Sequence, residues 1–179
     1  MFFATQYPEK IENLIVVDIS PRSYLDKDQP VPHTVDHKDI IEAMQKVDFS
    51  KAENRMDIDM MLAQNIKSQR IRQFLLKNVK RKDQESFCWK INLETLKNSL
   101  SEIMDGINPE DLNHGMGVSG FPVLFIKGEN SDYISEPDFP VIKKIFPVAE
   151  IVTISNAGHW LHAEQPELFL KNVNYFLAV

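Results

Sequence analysis

The chain has 179 residues, the size of one ordinary domain that buries about 70% of its unfolded surface. Apolar residues make up 43% and charged residues 26%, which excludes disordered and fibrous classes. The net charge of -6 argues against nucleic acid as a partner, because phosphate binding needs clustered Lys and Arg. Cys88 is the single cysteine, which excludes an intrachain disulfide and a multi-cysteine metal site and is typical of a reducing compartment.

No stretch of the sequence approaches the roughly 18 consecutive apolar residues of a membrane span. The N-terminus also lacks the basic region and apolar core of a secretion signal. We therefore expect an intracellular protein, cytoplasmic or mitochondrial, with no membrane span and no targeting segment in this sequence. Residues 1–4 are typical of the continuation of an apolar helix rather than of a capped beginning, which predicts that something precedes them.

Three short apolar runs predict strands, and helical patterns separate them. Residues 14–17, Leu-Ile-Val-Val, form a continuous apolar run of the kind found in buried parallel strands. Asp18 ends this strand, and Pro21 turns the chain away because proline cannot continue a central strand. Residues 122–126 and 151–154 are the other two predicted strands. Their alternation with helices predicts an α/β fold with a parallel sheet and right-handed crossovers.

The long segment between the first two predicted strands has a helical pattern. Apolar residues recur three and four apart from about residue 36 to residue 103. Ser50 and Glu53 fit a capping box that opens one of these helices, and Phe87 and Trp89 lie in a short extended piece. Residues 115–120 spell G-x-G-x-x-G, but they precede a strand instead of opening a helix, so we interpret them as a return loop. We predict a helical cap with its return loop over residues 36–120, and a core formed by residues 1–35 and 121–179.

Polar residues gather at the predicted carboxyl ends of the three strands. Asp18, the loop 129–132 and His159 all lie at such ends, where ligands bind in open parallel sheets. A carboxylate that binds one imidazole nitrogen fixes the tautomer and leaves the other nitrogen as a base. Asp18 and His159 are candidates for this pair. On the residues alone, the alternative that Asp18 caps a turn and His159 is an ordinary polar residue stays open.

The sequence favours neither a metal nor another cofactor. His33 and His37 are four residues apart and His159 and His162 three apart, but neither pair has the further ligands that zinc requires. Cys88 is better interpreted as a small buried hydrophobic residue than as a nucleophile. We therefore expect no metal and no cofactor.

Several segments together resemble a known family. Residues 156–160, Asn-Ala-Gly-His-Trp, and 162–166, His-Ala-Glu-Gln-Pro, resemble the catalytic-histidine segment of α/β-hydrolases. Residues 14–21, 87–93 and 128–131 are most similar to one branch, the small esterases related to abhydrolase domain-containing protein 11. The resemblance covers nearly the whole chain. It implies the C-terminal portion of an α/β-hydrolase sheet, about three strands with flanking helices, carrying a helical cap.

The resemblance also implies an activity and roles for particular residues. It implies a serine hydrolase that acts on a small acyl ester or thioester, with His159 as general base and Asp18 as triad acid. Asp132 is the fallback acid, because it lies one residue from Ser131, the position at which many α/β-hydrolases carry the acid. Three aromatic residues are predicted to contact substrate: Trp160, Tyr133 and Trp89.

One departure from the family pattern is large. The fold carries its nucleophile on a G-x-S-x-G elbow before the acid and the histidine, and this sequence contains no such motif. Residues 1–4 match the helix after that elbow, so roughly a hundred residues of strands, helices and loops are expected to be missing. They would include the oxyanion-hole donors, whose loss lowers rates about a hundredfold or more. We therefore expect this chain alone to be inactive.

Two alternatives remain open on the sequence. An epoxide hydrolase or a dehalogenase with an aspartate nucleophile would leave the same remnant of the fold. The chain would otherwise be a non-catalytic, truncated protein that binds a ligand or an intact partner. An unpaired strand edge at residues 14–17 would favour self-association.

Overall fold

The computed structural model describes residues 1–25, 37–82, 86–112 and 116–178. The chain divides into two compact units, one formed by Met1–His33 with Met104–Val179 and the other by Thr34–Ile103. In chain order the helices and strands are α1 (Phe2–Gln6), β1 (Leu14–Val17), α2 (His37–Gln45), α3 (Arg55–Ala63), α4 (Gln69–Leu76), β2 (Val79–Arg81), β3 (Phe87–Trp89), α5 (Leu93–Asn98), α6 (Leu100–Met104), β4 (Val123–Gly128), α7 (Phe139–Ile145), β5 (Glu150–Ile154), α8 (Leu161–Glu164) and α9 (Pro166–Leu177).

The first unit contains a three-stranded parallel sheet in the order β1-β4-β5. Val17 lies opposite Ile126, and Gly128 lies opposite Ile154, so the carboxyl ends of all three strands meet at one edge. The predicted parallel sheet of about three strands with flanking helices is therefore confirmed. Strand β4 is central, which explains why its sequence is apolar at nearly every position.

The two faces of β4 pack into separate cores. Phe125 is fully buried in a cluster that includes Phe146, which follows α7. Leu124 and Ile126 point to the other face, where Phe169 and other apolar residues of α9 pack against them. Successive side chains of β4 point to opposite faces of the sheet, so helices pack against both faces. Among the described residues, no helix is both long and apolar enough to cross a membrane.

The second unit is mainly helical, with a small antiparallel hairpin of β2 and β3 in which Val79 lies opposite Trp89. The predicted capping box at Ser50 and Glu53 is wrong. The carboxylate of Asp48 accepts hydrogen bonds from the backbone and hydroxyl of Ser50, in a short 3-10 turn. Helix α3 instead begins after Asn54. The side chain of Asn54 accepts a hydrogen bond from the backbone N–H of Asp57, and the carboxylate of Asp57 accepts one from the backbone N–H of Asn54.

The boundaries of the two compact units differ from those of the predicted core and cap. Residues 104–112 and 116–120, which the sequence analysis assigned to the cap and its return loop, belong to the first unit. Of the G-x-G-x-x-G segment, Gly115 lies outside the described residues, while Gly117 and Gly120 have positive φ angles of 71° and 107°. The division into core, cap and core at residues 35 and 120 stays a prediction.

Candidate functional site

Asp18 is the first polar residue after β1 and is completely buried, with 0% of its surface exposed. Its backbone N–H donates to the carbonyl of Ile126 at 2.8 Å, which continues the pairing of β1 with β4. Its φ angle of 48° is in the left-handed region, which aspartate tolerates better than most residues. This backbone turn directs the carboxylate across the carboxyl end of the sheet.

Both carboxylate oxygens of Asp18 have partners from the other two strand ends. Oδ1 accepts a hydrogen bond from the backbone N–H of Gly128 at 2.9 Å. Oδ2 accepts one from the hydroxyl of Ser131 and lies 2.8 Å from Nδ1 of His159. Burial of a carboxylate is unfavourable unless it is hydrogen-bonded or paired. These three contacts therefore compensate the burial and fix the orientation of the carboxylate.

The loop that carries His159 is held by two glutamates. Asn156, which has a φ angle of 56°, donates its backbone N–H to Oε2 of Glu129 at 2.7 Å. Gly158 donates its own N–H to Oε2 of Glu164 at 2.6 Å. The side chain of His159 is 43% exposed although its carboxylate partner is not. With Nδ1 beside Asp18, Nε2 is the nitrogen available for proton exchange with another molecule or segment.

Gly128 lets the end of β4 approach the histidine loop closely. A Cβ atom at this position would lie 2.4 Å from the carbonyl oxygen of Gly158 and 2.6 Å from that of Ala157. Both distances are shorter than any van der Waals contact, and both atoms belong to the backbone. The same glycine donates its N–H to Asp18, so the close approach and the orientation of the carboxylate depend on one residue.

We predict that Gly128→Ala lowers the free energy of unfolding by about 1–3 kcal/mol, because the histidine loop must move to admit the methyl group. Gly158→Ala is the matched control, since its Cβ would meet only the carboxylate of Glu164, at 3.3 Å. Urea denaturation of both variants and the unchanged chain measures the difference. Equal free energies of unfolding of the two variants would show that the close contact between β4 and the histidine loop does not require glycine at position 128.

Tyr133 lies directly against the imidazole. Its ring stacks on that of His159, with centroids 3.9 Å apart and planes inclined by 19°. Burial raises the pKa of the Tyr133 phenol, and the negative charge of Asp18 raises it further. The phenol is therefore neutral at physiological pH, and its ring covers one face of the histidine.

The structure brings together only some of the residues singled out from the sequence. His159 contacts both Asp18 and Tyr133, whereas Trp160 follows His159 in sequence and occupies the N-cap position of α8. Trp89 belongs to the helical unit, where its indole N–H donates to the carbonyl of Met44 at 3.1 Å. Substrate contacts by the three aromatic residues stay predictions, as do the roles of Asp18 and of the fallback acid, Asp132.

Sequence reasoning missed several residues that shape this site. Glu129 and Glu164 hold the histidine loop, and Gly128 supports Asp18; all three lie in segments that resemble the family, but no role was predicted for any of them. The usable signal was the position of residues 128–131 directly after a predicted strand. Within the part of the chain that the structure describes, no group of three or more His, Cys, Asp or Glu residues is placed to hold a metal ion.

The sequence of this chain is similar to those of a lipase and of esterases. The chain is 36% identical over 181 residues to the sn-1-specific diacylglycerol lipase ABHD11 of Xenopus laevis, matching 99% of this chain and 54% of the relative. It is 34% identical over 170 residues to a putative esterase/lipase of Haemophilus influenzae, matching 95% of this chain and 53% of the relative. The chain thus spans about half the length of these curated relatives. No protein-family model matches it.

Solved structures agree with the sequence relatives. A marine microorganism esterase superposes with a TM-score of 0.85 at 41% identity, covering 98% of this chain and 64% of the esterase. The E-2-(acetamidomethylene)succinate hydrolase superposes with a TM-score of 0.64 at 16% identity, over 98% of this chain and 61% of the hydrolase. At such low identity the second match indicates the fold alone.

Proposed function

Since this chain belongs to the α/β-hydrolase fold family, we propose that it supplies the acid and the general base of an ester or thioester hydrolase. The observation that carries this proposal is the 2.8 Å contact between Nδ1 of His159 and Oδ2 of buried Asp18. The contact lies at the carboxyl ends of parallel strands, where the active sites of open α/β sheets are found. It leaves Nε2 of the imidazole free to exchange protons.

The proposed reaction follows from the two nitrogens of His159. Nε2 removes the proton from a nucleophilic hydroxyl as its oxygen attacks the carbonyl carbon of the ester, and Asp18 stabilises the imidazolium that forms. The bond from carbon to the leaving oxygen or sulfur then breaks, and Nε2 returns the proton to that atom. Water next attacks the acyl group, gives a proton to Nε2 and releases the acid, while the nucleophile regains its hydrogen.

We propose that the nucleophile lies outside these 179 residues. The sequence contains no G-x-S-x-G elbow, and the relatives that match it are about twice as long. The oxyanion-hole donors would lie outside it as well, because the fold builds them from the elbow and from an earlier loop. The names of the relatives, a diacylglycerol lipase and esterases, favour acyl esters as substrates. A cytoplasmic or mitochondrial location and self-association through the edge of β1 stay predictions.

The test compares the 179-residue chain with a version extended upstream to include the nucleophile elbow. We expect the extended protein to hydrolyse a simple acyl ester and the short chain to show only the background rate, because it lacks a nucleophile. Spectrophotometric release of p-nitrophenol measures both. The control is the extended protein with its elbow nucleophile, expected to be serine, replaced by alanine.

Two outcomes would contradict the proposal. Hydrolysis by the short chain that disappears in His159→Ala would show that the nucleophile is within these residues. An extended protein that opens an epoxide or releases a halide, but leaves esters intact, would assign the chain to an aspartate-nucleophile hydrolase of the same fold.

A further inference from the structure

A network of polar side chains around one buried aspartate is linked to Tyr133 through Tyr24 and has no part in the proton transfers described above. At its centre is Asp138, which is 1% exposed. Its Oδ1 lies 2.7 Å from Nε of Arg22 and accepts a hydrogen bond from the hydroxyl of Ser20 at 3.0 Å. Its Oδ2 accepts hydrogen bonds from the backbone N–H and the hydroxyl of Ser135 at 2.7 and 2.8 Å. The network therefore fixes residues 20–22 to the start of α7.

Tyr24 connects this network to the site. Its hydroxyl accepts a hydrogen bond from the backbone N–H of Ser20 at 2.7 Å and donates one to the carbonyl of Tyr133 at 3.0 Å. The guanidinium of Arg22 lies over the Tyr24 ring, 4.9 Å from its centroid. Burial raises the pKa of the Tyr24 phenol to about 12, so the proton that it donates to Tyr133 is present at any physiological pH.

Tyr133 is thus held from both sides. Its carbonyl accepts a hydrogen bond from the hydroxyl of Tyr24, and its backbone N–H donates one to the hydroxyl of Ser131 at 3.4 Å. The same Ser131 hydroxyl donates to Asp18. The ring between these two anchors stacks on His159 at 3.9 Å. A shift of the Tyr133 backbone would therefore move the ring away from the imidazole.

We propose that Tyr24 is a positioning residue for His159 and acts through Tyr133. The contact between Nδ1 and Asp18 restrains one atom of the imidazole, but one distance does not determine both side-chain torsions of His159. The stacked ring of Tyr133 fixes the plane, and the Tyr24 hydroxyl fixes Tyr133. The catalytic consequence rests on the proposed function, whereas the geometric claim does not.

The geometric claim is tested by NMR on the 179-residue chain. A stacked aromatic ring shields the carbon-bound protons of the imidazole, so their resonances should lie upfield of ordinary histidine values. Tyr24→Phe keeps the ring but removes the hydroxyl, and we expect it to lose a large part of this upfield shift. Tyr133→Leu gives the chemical shift of these protons without a stacked ring, and Tyr133→Phe should retain the upfield shift. Tyr175→Phe is the matched control, because Tyr175 is 75% exposed.

The catalytic claim is tested in the upstream-extended enzyme. We expect Tyr24→Phe to lower kcat about tenfold to a hundredfold with KM little changed, because misplacement of a catalytic group by about 1 Å has effects of this size. Tyr133→Leu should lower kcat at least as much. These measurements separate a positioning role from a role in substrate binding, which would raise KM.

Each outcome decides one claim. An unchanged upfield shift in Tyr24→Phe overturns the geometric claim, as does a variant that fails to fold, since its role would then be structural. A lost shift with unchanged kcat in an active extended enzyme overturns the catalytic claim. An extended enzyme without hydrolase activity overturns the proposed function, while the NMR result still decides whether Tyr24 positions His159.

Discussion

Replacement of His159 by alanine is expected to lower kcat on the order of a millionfold in an enzyme that joins this chain to its nucleophile. The nucleophilic hydroxyl is protonated at neutral pH, and in the site Nε2 of His159 is the group proposed to accept its proton. The other proposed triad member, Asp18, is buried and has both oxygens occupied, so it cannot substitute as a base. What remains is the catalysis supplied by substrate binding and the oxyanion hole.

His162→Ala is the matched control for this prediction. His162 lies three residues further along, in α8, and its ring meets the edge of Phe169 with centroids 6.3 Å apart. It takes no part in the contact with Asp18, so we expect kcat within a few-fold of the unchanged enzyme. Steady-state hydrolysis of an acyl ester measures both variants. If His159→Ala kept even a hundredth of the activity, the base would have to be another group.

The sheet could be predicted because short apolar or β-branched runs mark its strands, of which the central strand β4 is buried on both faces. The apolar runs at residues 14–17 and 122–126 and the β-branched run at residues 151–154 correspond to β1, β4 and β5. Strand β4 continues two residues past the predicted end, to Gly128, because Lys127 pairs with Thr153 through its backbone. Backbone pairing does not require an apolar side chain, so the apolar pattern ended too early.

The candidate site could be predicted only where strand ends determine it. Asp18 and His159 each follow a strand, and a parallel sheet brings such positions together. No role was predicted for Tyr24 or for Glu164, although residues 162–166 carry part of the family resemblance, because each acts through a backbone group of another residue. A hydrogen bond to a backbone carbonyl or N–H requires no particular partner residue, so it leaves no spacing or motif in the sequence.

Asp18→Asn is expected to lower kcat about ten-thousandfold, and the geometry of the site explains why. The backbone N–H of Gly128, which can only donate, faces Oδ1, so the amide oxygen of asparagine must occupy that position. The amide NH₂ then takes the place of Oδ2 and faces Nδ1 of His159. Nδ1 would have to accept a hydrogen bond, which moves the ring proton to Nε2. A protonated Nε2 cannot act as the base.

Asp132→Asn distinguishes this explanation from the fallback acid. Asp132 lies beside Ser131 in sequence, and the Ser131 hydroxyl donates to Asp18. Asp18 contacts the imidazole directly, because its Oδ2 lies 2.8 Å from Nδ1 of His159. We expect Asp132→Asn to keep near-normal kcat and to leave the imidazole tautomer unchanged in nitrogen NMR spectra, while Asp18→Asn inverts it. If Asp18→Asn instead kept full activity and Asp132→Asn lost it, the contact at 2.8 Å would be structural and the acid would be Asp132. The tautomer is the sharper measurement, because it follows from the orientation that Gly128 imposes and does not depend on the substrate chosen.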